Sequence, residues 1–323
     1  MRILPVVVVV DVDPDWRSPG LSGKPYLGEL AWKGITDGVP RMIKRLKPLE
    51  NGSGTRLRFT WLVRSDDQMA TLRGDPAAFA SEQEEFLKNR IALGDTVGWH
   101  PHLWRFSERR RVWYQETTDV DWIRQCLKEG HSALSRRFPI RVAKTGWTFH
   151  TNFTMRLFSD LGVDVDVSAI PGMHYHGTVP GTDLPLGLYD WSRAPQEPYH
   201  PSEQDYQAPG NRKALKILEV PNWTFPLGIA RGLFHKVRHR AQRDFANPAK
   251  HPRLARGAFT RPPKTLPFVC YFHPEELLGE SAVFSASYIP TNIKFLIQAA
   301  SRNRLEAKPM TASEVVGLSR WYP

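Results

Sequence analysis

The longest unbroken apolar run, Val6-Val7-Val8-Val9-Val10, follows Ile3 and Leu4 and stops at Asp11, Val12 and Asp13. A run without polar alternation reads as a strand buried on both faces, the habit of a parallel sheet. Beyond it, strand-like and helix-like segments alternate. The pattern predicts strands at Ile3–Asp11, Leu57–Arg64, Thr96–His100, Arg141–Lys144, Val163–Val167, Leu215–Pro221, Pro267–Phe272 and Glu306–Met310. It predicts helices at Val39–Leu49, Ser81–Leu93, Val120–Arg137, Asn152–Leu161 and Thr291–Asn303, with Ser81 and Glu84 spaced as a capping box and Gly162 as a left-handed stop. The stretch from Pro171 to Asn211 has little periodicity and reads as an elaborate loop. Alternating strands and helices make an α/β protein whose parallel strands bring their carboxyl ends to one mouth. Asp11, Asp13, Arg64, Asp66, His100, His102, Lys144 and His273 all fall at or just past such ends.

A chain of 323 residues with 41% hydrophobic content can bury one large core, so a single barrel-sized domain over residues 1–323 is expected, with a loop-rich insertion at 171–211. The net charge of +11 is local: residues 229–264 hold ten Lys and Arg against Asp244, and account for nine of the eleven charges. A basic insertion at about 225–264 follows. Apolar residues among the cations of Phe225–Phe245 would suit an amphipathic helix on an anionic membrane, or a solvated insertion that keeps the protein in solution. No nucleic-acid-binding motif accompanies the charge. Cys126 and Cys270 stand alone, which excludes a disulfide framework and a thiolate zinc site. The first strand lacks the flanks of a signal segment and no stretch has the roughly 20 apolar residues of a membrane span, so a cytoplasmic location is expected.

Carboxylates closing a buried strand are costly unless paired, capping a loop or bound to a metal. His100 and His102, at i and i+2 on an extended segment, can aim both rings at one ion. Oxygen and nitrogen donors of this kind suggest a divalent metal. His273 ends an apolar strand and is followed by Pro274, a placement suited to general acid–base work or to a simple helix start. Trp99, Trp104, Trp147 and Trp223 flank these motifs as platforms for a substrate or as core, and Arg64 ends the second strand as a further substrate contact.

The order of these motifs resembles the polysaccharide deacetylase family. The stretches that carry the resemblance are Val10–Asp13, Gly94–His102, Lys144–Trp147, Asn152–Pro171, Leu218–Trp223 and Tyr271–Glu275, spread over about residues 3–315. It implies a distorted, incomplete (β/α) barrel holding a divalent ion, commonly Zn2+. It also implies roles: Asp11 as general base, Asp13 as metal carboxylate, His100 as first metal histidine, His273 as general acid. Three departures matter. Val12 separates the acidic pair, so the base and ligand roles of Asp11 and Asp13 could be exchanged; Trp104 stands where a second metal histidine is usual and leaves His102 as the substitute; and Lys144 replaces an Arg that steers the base. The implied activity is hydrolysis of an N-acyl, foremost N-acetyl, group on an amino sugar in a glycan, glycolipid or sugar precursor. The departures keep two alternatives open, an inactive glycan- or membrane-binding relative and an amidohydrolase of a non-sugar C–N bond.

Overall fold

A computed structural model describes residues 2–15, 30–226, 243–263, 266–279 and 283–321. The valine run forms the middle of β1 (Arg2–Val12), which pairs in parallel with β2 (Phe59–Arg64), β7 (Phe268–Phe272) and β8 (Leu305–Met310). Neighbouring strands on both edges and packed layers on both faces are why Val6–Val10 are almost wholly buried. With β3 (Thr96–His100), β4 (Val142–Ala143), β5 (Val165–Asp166) and β6 (Leu218–Glu219), the main sheet has eight strands in the order β6-β5-β4-β3-β2-β1-β7, with β8 beside β1. All of its ladders are parallel.

The sheet curls into an incomplete (β/α) barrel. Among the described residues β6 and β7 share no ladder. The seam is bridged instead where Trp223 N donates to Val269 O (2.8 Å), Ala246 N to Trp223 O (2.9 Å) and Tyr271 N to Ala246 O (3.3 Å). Trp223 and Ala246 flank a short antiparallel pair, Thr224–Pro226 with Arg243–Phe245, which fills the gap. Amphipathic helices cover the outside, including α1 (Val39–Ser53), α2 (Val120–Ser135), α3 (Asn152–Asp160) and α4 (Tyr288–Arg302). Their apolar faces join the strands in one core around Phe59, Trp61, Trp99, Phe158 and Phe268.

Register explains the mouth. Val10 pairs with Phe272, which sets Asp11 level with His273; Arg64 pairs with His100 and Trp99 with Ala143, which sets Arg64, His100 and Lys144 in a second row, two residues further along, because Asp11 pairs with Leu62. Gly98 lets β3 fit between its neighbours: a Cβ there would sit 2.6 Å from both Leu62 Cδ2 and Val142 O.

Several local expectations change. Ser81 does not cap a helix. Its hydroxyl bonds Asp75 inside a short helix at Ala78–Glu82, and a separate helix begins at Glu84. The 171–211 region contains an antiparallel hairpin, His174–Thr178 with Pro185–Asp190, and a second hairpin, Trp104–Ser107 with Val112–Gln115, follows β3. The amphipathic helix expected at Phe225–Phe245 falls mostly on 227–242, outside the described residues. Among the described residues no helix is long and apolar enough to cross a membrane.

Candidate metal centre

β1 ends in a tight turn, with Asp13 N donating to Asp11 O at 2.9 Å, and this turn brings both carboxylates over the mouth. β3 ends at His100, so His102 arrives from the loop rather than along the strand as expected. Pro101 cannot extend the ladder. Its carbonyl accepts from Gly146 N (2.7 Å), and Asp66 accepts from His102 N (3.0 Å), which turns the second ring back toward the first.

The result is a buried cluster. His100 Nε2 and His102 Nε2 are 3.2 Å apart, His102 Nε2 is 3.3 Å from Asp13 Oδ1, and His100 Nε2 is 3.7 Å from Asp13 Oδ2. One donor atom from each of Asp13, His100 and His102 lies within 4.8 Å of the others. His100 Nδ1 faces Lys144 O at 2.7 Å; a carbonyl only accepts, so the Nδ1 proton is fixed there and the Nε2 lone pair is left inward. Burial, with Arg64 nearby, holds His102 down to about 4, so its ring is neutral at ordinary pH. Two inward imidazole nitrogens beside a carboxylate fit a divalent ion. Burial resists the charge of Asp13, but His102 and His100 outweigh it and keep its pKa well below the usual carboxylate range.

Asp11 is set apart from this trio. Its Oδ2 accepts from Lys144 Nζ at 2.5 Å, while its buried Oδ1 has no hydrogen-bond partner among the described residues. Burial raises the cost of the Asp11 charge, yet Lys144, His100 and His273 hold its pKa below the usual value. Lys144 loses basicity by burial and regains part of it from Asp11; its Nζ lies 3.0 Å from the centroid of the Tyr271 ring. Tyr271 in turn stacks on Phe245 (4.4 Å, 13°). A lysine without the guanidinium fork is thus held between a carboxylate and an aromatic face. His273 Nε2 stands 3.7 Å from Oδ2 of both Asp11 and Asp13, and Glu276 accepts from His273 N at 3.1 Å.

The pocket above these groups has a volume of about 350 Å³, and its sides are Thr145, Trp147, Thr148, Ile170, Tyr189, Phe245 and Tyr271. Of the predicted tryptophans only Trp147 lines it. Trp99 is in the core, donating to Ser65 O; Trp104 is buried, parallel to the His102 ring at 6.0 Å; Trp223 is at the barrel seam. Arg64 is likewise not a pocket residue. It is 1% exposed and bonds Asp13 Oδ1 (3.0 Å), Asp66 and Gln68 beneath the metal trio, because a buried guanidinium takes every acceptor within reach.

Sequence reasoning passed over Tyr189, Phe245 and Tyr271. Only Tyr271 left a signal, at i−2 from His273 on the same strand face. It also passed over a second buried cluster behind Lys144. Asp166 Oδ1 accepts from Ser168 Oγ (2.9 Å), Ser168 Oγ accepts from Thr145 N (3.0 Å), and His150 Nε2 lies 3.3 Å from Asp166. Glu219 stands beside Asp166 across the β5–β6 ladder, and burial and that neighbour push its carboxyl well above the usual range.

No family model and no curated protein sequence matches this chain. Its fold is that of two solved structures. One is a "putative glycoside hydrolase/deacetylase" from Parabacteroides distasonis (TM-score 0.57, 12% identity, 99% of this chain and 71% of that one). The other is a "putative polysaccharide deacetylase" from Mycobacterium smegmatis (TM-score 0.53, 14% identity, 99% of this chain and 91% of that one). At such identity the likeness establishes the fold, an α/β incomplete barrel of the deacetylase type.

Proposed function

We propose that this protein is a metal-dependent hydrolase that removes an N-acyl group, foremost acetyl, from an amino sugar in a glycan, glycolipid or sugar precursor. The single observation that carries the reading is the meeting of Asp13, His100 and His102 with Asp11 and His273 on the floor of one pocket, contributed by three parallel strand ends and the loop after β3. Asp13, His100 and His102 would hold the ion, Zn2+ by donor type. Once bound, it would acidify a water molecule and polarise the acyl carbonyl.

The chain's own groups do the rest. Lys144 occupies Asp11 Oδ2 and keeps the carboxylate ionised, so that Oδ1 is the oxygen turned to the water proton. His273, whose Nε2 faces the same space, delivers a proton to the departing amine and restores the neutral leaving group. Trp147, Tyr189 and Tyr271 offer aromatic faces on which a sugar ring can lie. An anionic membrane as partner of the basic 225–264 segment rests on charge alone.

Acetate release from N-acetylated mono- and oligosaccharides and N-acetylated nucleotide sugars, followed with zinc-loaded protein, tests the assignment. Release that disappears in Asp11→Asn and His273→Ala is expected; absence of release from all of these substrates by metal-loaded protein would sink it.

A further inference from the structure

Arginines buried or half-buried in this protein meet a carboxylate. Arg56 and Arg90 pair with Asp95, Arg58 with Glu314, Arg64 with Asp13, Arg105 with Glu116 and Arg124 with Asp121. Arg243 is half-buried as well, yet among the described residues its guanidinium has no hydrogen bond or ion pair. The sequence leading into it, residues 227–242, contains no Asp or Glu. Asp244, next along the strand, lies on the opposite face and accepts from Lys250 Nζ at 2.7 Å. A guanidinium cannot shed its proton, so half-burial without a counter-ion has a cost that a bound anion would offset.

The backbone holds Arg243 beside the pocket. Its stem lies against Gly172, where a Cβ would fall 2.6 Å from Arg243 Cδ and 2.7 Å from Nε, and the φ of 78° at Gly172 also disfavours any side chain there. Arg243 and Phe245 stand at i and i+2 on one short strand and so share a face. Phe245 lines the pocket, as does Ile170, two residues before Gly172. Thr224, the ladder partner of Phe245, ties the two segments together by donating its hydroxyl to Pro171 O at 2.8 Å. Arg243 therefore sits at the pocket edge, between two parts of its lining. We infer that Arg243 is a subsite for a phosphate group on the acylated sugar, so that the substrate is a phosphorylated amino sugar and not a unit of a neutral glycan. The inference rests on the amino-sugar deacetylase reading and selects among its substrate forms. A nucleotide-linked or lipid-phosphate-linked sugar carries the phosphate ester, and the planar guanidinium fork matches two of its oxygens. The phosphate is held at the edge while the acyl group reaches the metal residues on the floor.

Titration calorimetry of the zinc-loaded protein with N-acetylglucosamine and N-acetylglucosamine 1-phosphate tests this, in the parent and in Arg243→Gln and Arg243→Lys. In the parent the phosphate should tighten binding at least about tenfold, the effect of a charge-assisted hydrogen bond. Arg243→Gln should bind both sugars with the parent's affinity for the neutral one, and Arg243→Lys should keep part of the preference. Equal affinities in the parent would overturn the inference without recourse to a variant. So would a phosphate preference that survives in Arg243→Gln, which would place the phosphate on the zinc ion. With the preference shown to depend on Arg243, uridine diphosphate N-acetylglucosamine and a decyl-phosphate-linked N-acetylglucosamine distinguish a nucleotide carrier from a lipid one by which binds tighter. An Arg243-dependent preference without acetate release from any of these sugars would leave the phosphate subsite standing and remove the deacetylase reading instead. Failure of both test sugars to bind removes both.

Discussion

At the residue scale the centre depends on side chains whose partners differ from those their spacing suggested. Asp11 and Asp13 share a strand end, yet one is bonded by Lys144 and the other by Arg64, so each carboxylate is committed to a separate task. Replacing Asp11 by Asn is expected to lower kcat/KM by about 10²–10⁴-fold while metal content stays at the wild-type level, which steady-state kinetics and elemental analysis of the same sample would show. Loss of metal in that variant would move Asp11 into the ligand set. Gly146 is the less obvious control point, since a Cβ there would fall 2.1 Å from His102 Cγ. Gly146→Ala is expected to weaken zinc binding by displacing the ring, with Kd from competition against a chromophoric chelator rising at least about tenfold, the upper range for disturbed ligand support being about 10–100-fold. His100 and His102 were legible as a pair because of their spacing. Their approach was not, because it depends on Asp66 and Gly146, which contact the loop from distant parts of the chain.

At the scale of elements, the parallel strands were legible from continuous apolar runs, and the mouth from the polar residues that end them. The hairpins at 104–115 and 174–190 were not. Their buried residues, Trp104, Trp113, Val179 and Leu186, cover each other and interrupt any period of two. The network that joins β5 to β6 was hidden for a similar reason, since Asp166 and Glu219 look like ordinary acids until the ladder places them side by side. That pair makes a pH prediction. Glu219 keeps its proton in the folded state above the pH at which the unfolded chain releases it, so folded protein binds more protons and stability falls as pH rises from about 4.5 toward the raised value. Glu219→Gln keeps a neutral donor toward Asp166 and removes this loss. The variant should gain on the parent as pH rises from 5 to 8, by at most about 1.4 kcal/mol per pH unit, in urea unfolding at the two pH values. A stability difference independent of pH would contradict the raised Glu219 carboxyl.

At the scale of the molecule, the barrel gathers Asp13, Asp11, His100 and His273 from strands far apart in sequence, and metal binding should be linked to folding. Zinc at a hundredfold excess over its Kd should add about 2.7 kcal/mol to unfolding free energy, visible as a higher Tm that chelation reverses. The fold class and the order of the site motifs were legible because each lies at a strand end. The size and shape of the pocket were not, because its walls come from segments without period. The measurement that bears most directly on the whole account is stepwise zinc addition to chelator-treated protein, with bound metal and acetate release from an N-acetylated sugar read on the same samples. Activity should be absent from the stripped protein and rise in proportion to metal until one ion per chain is bound, and should not recover in His102→Ala. Acetate release that persists in the stripped protein, or one bound ion with no release, would contradict it.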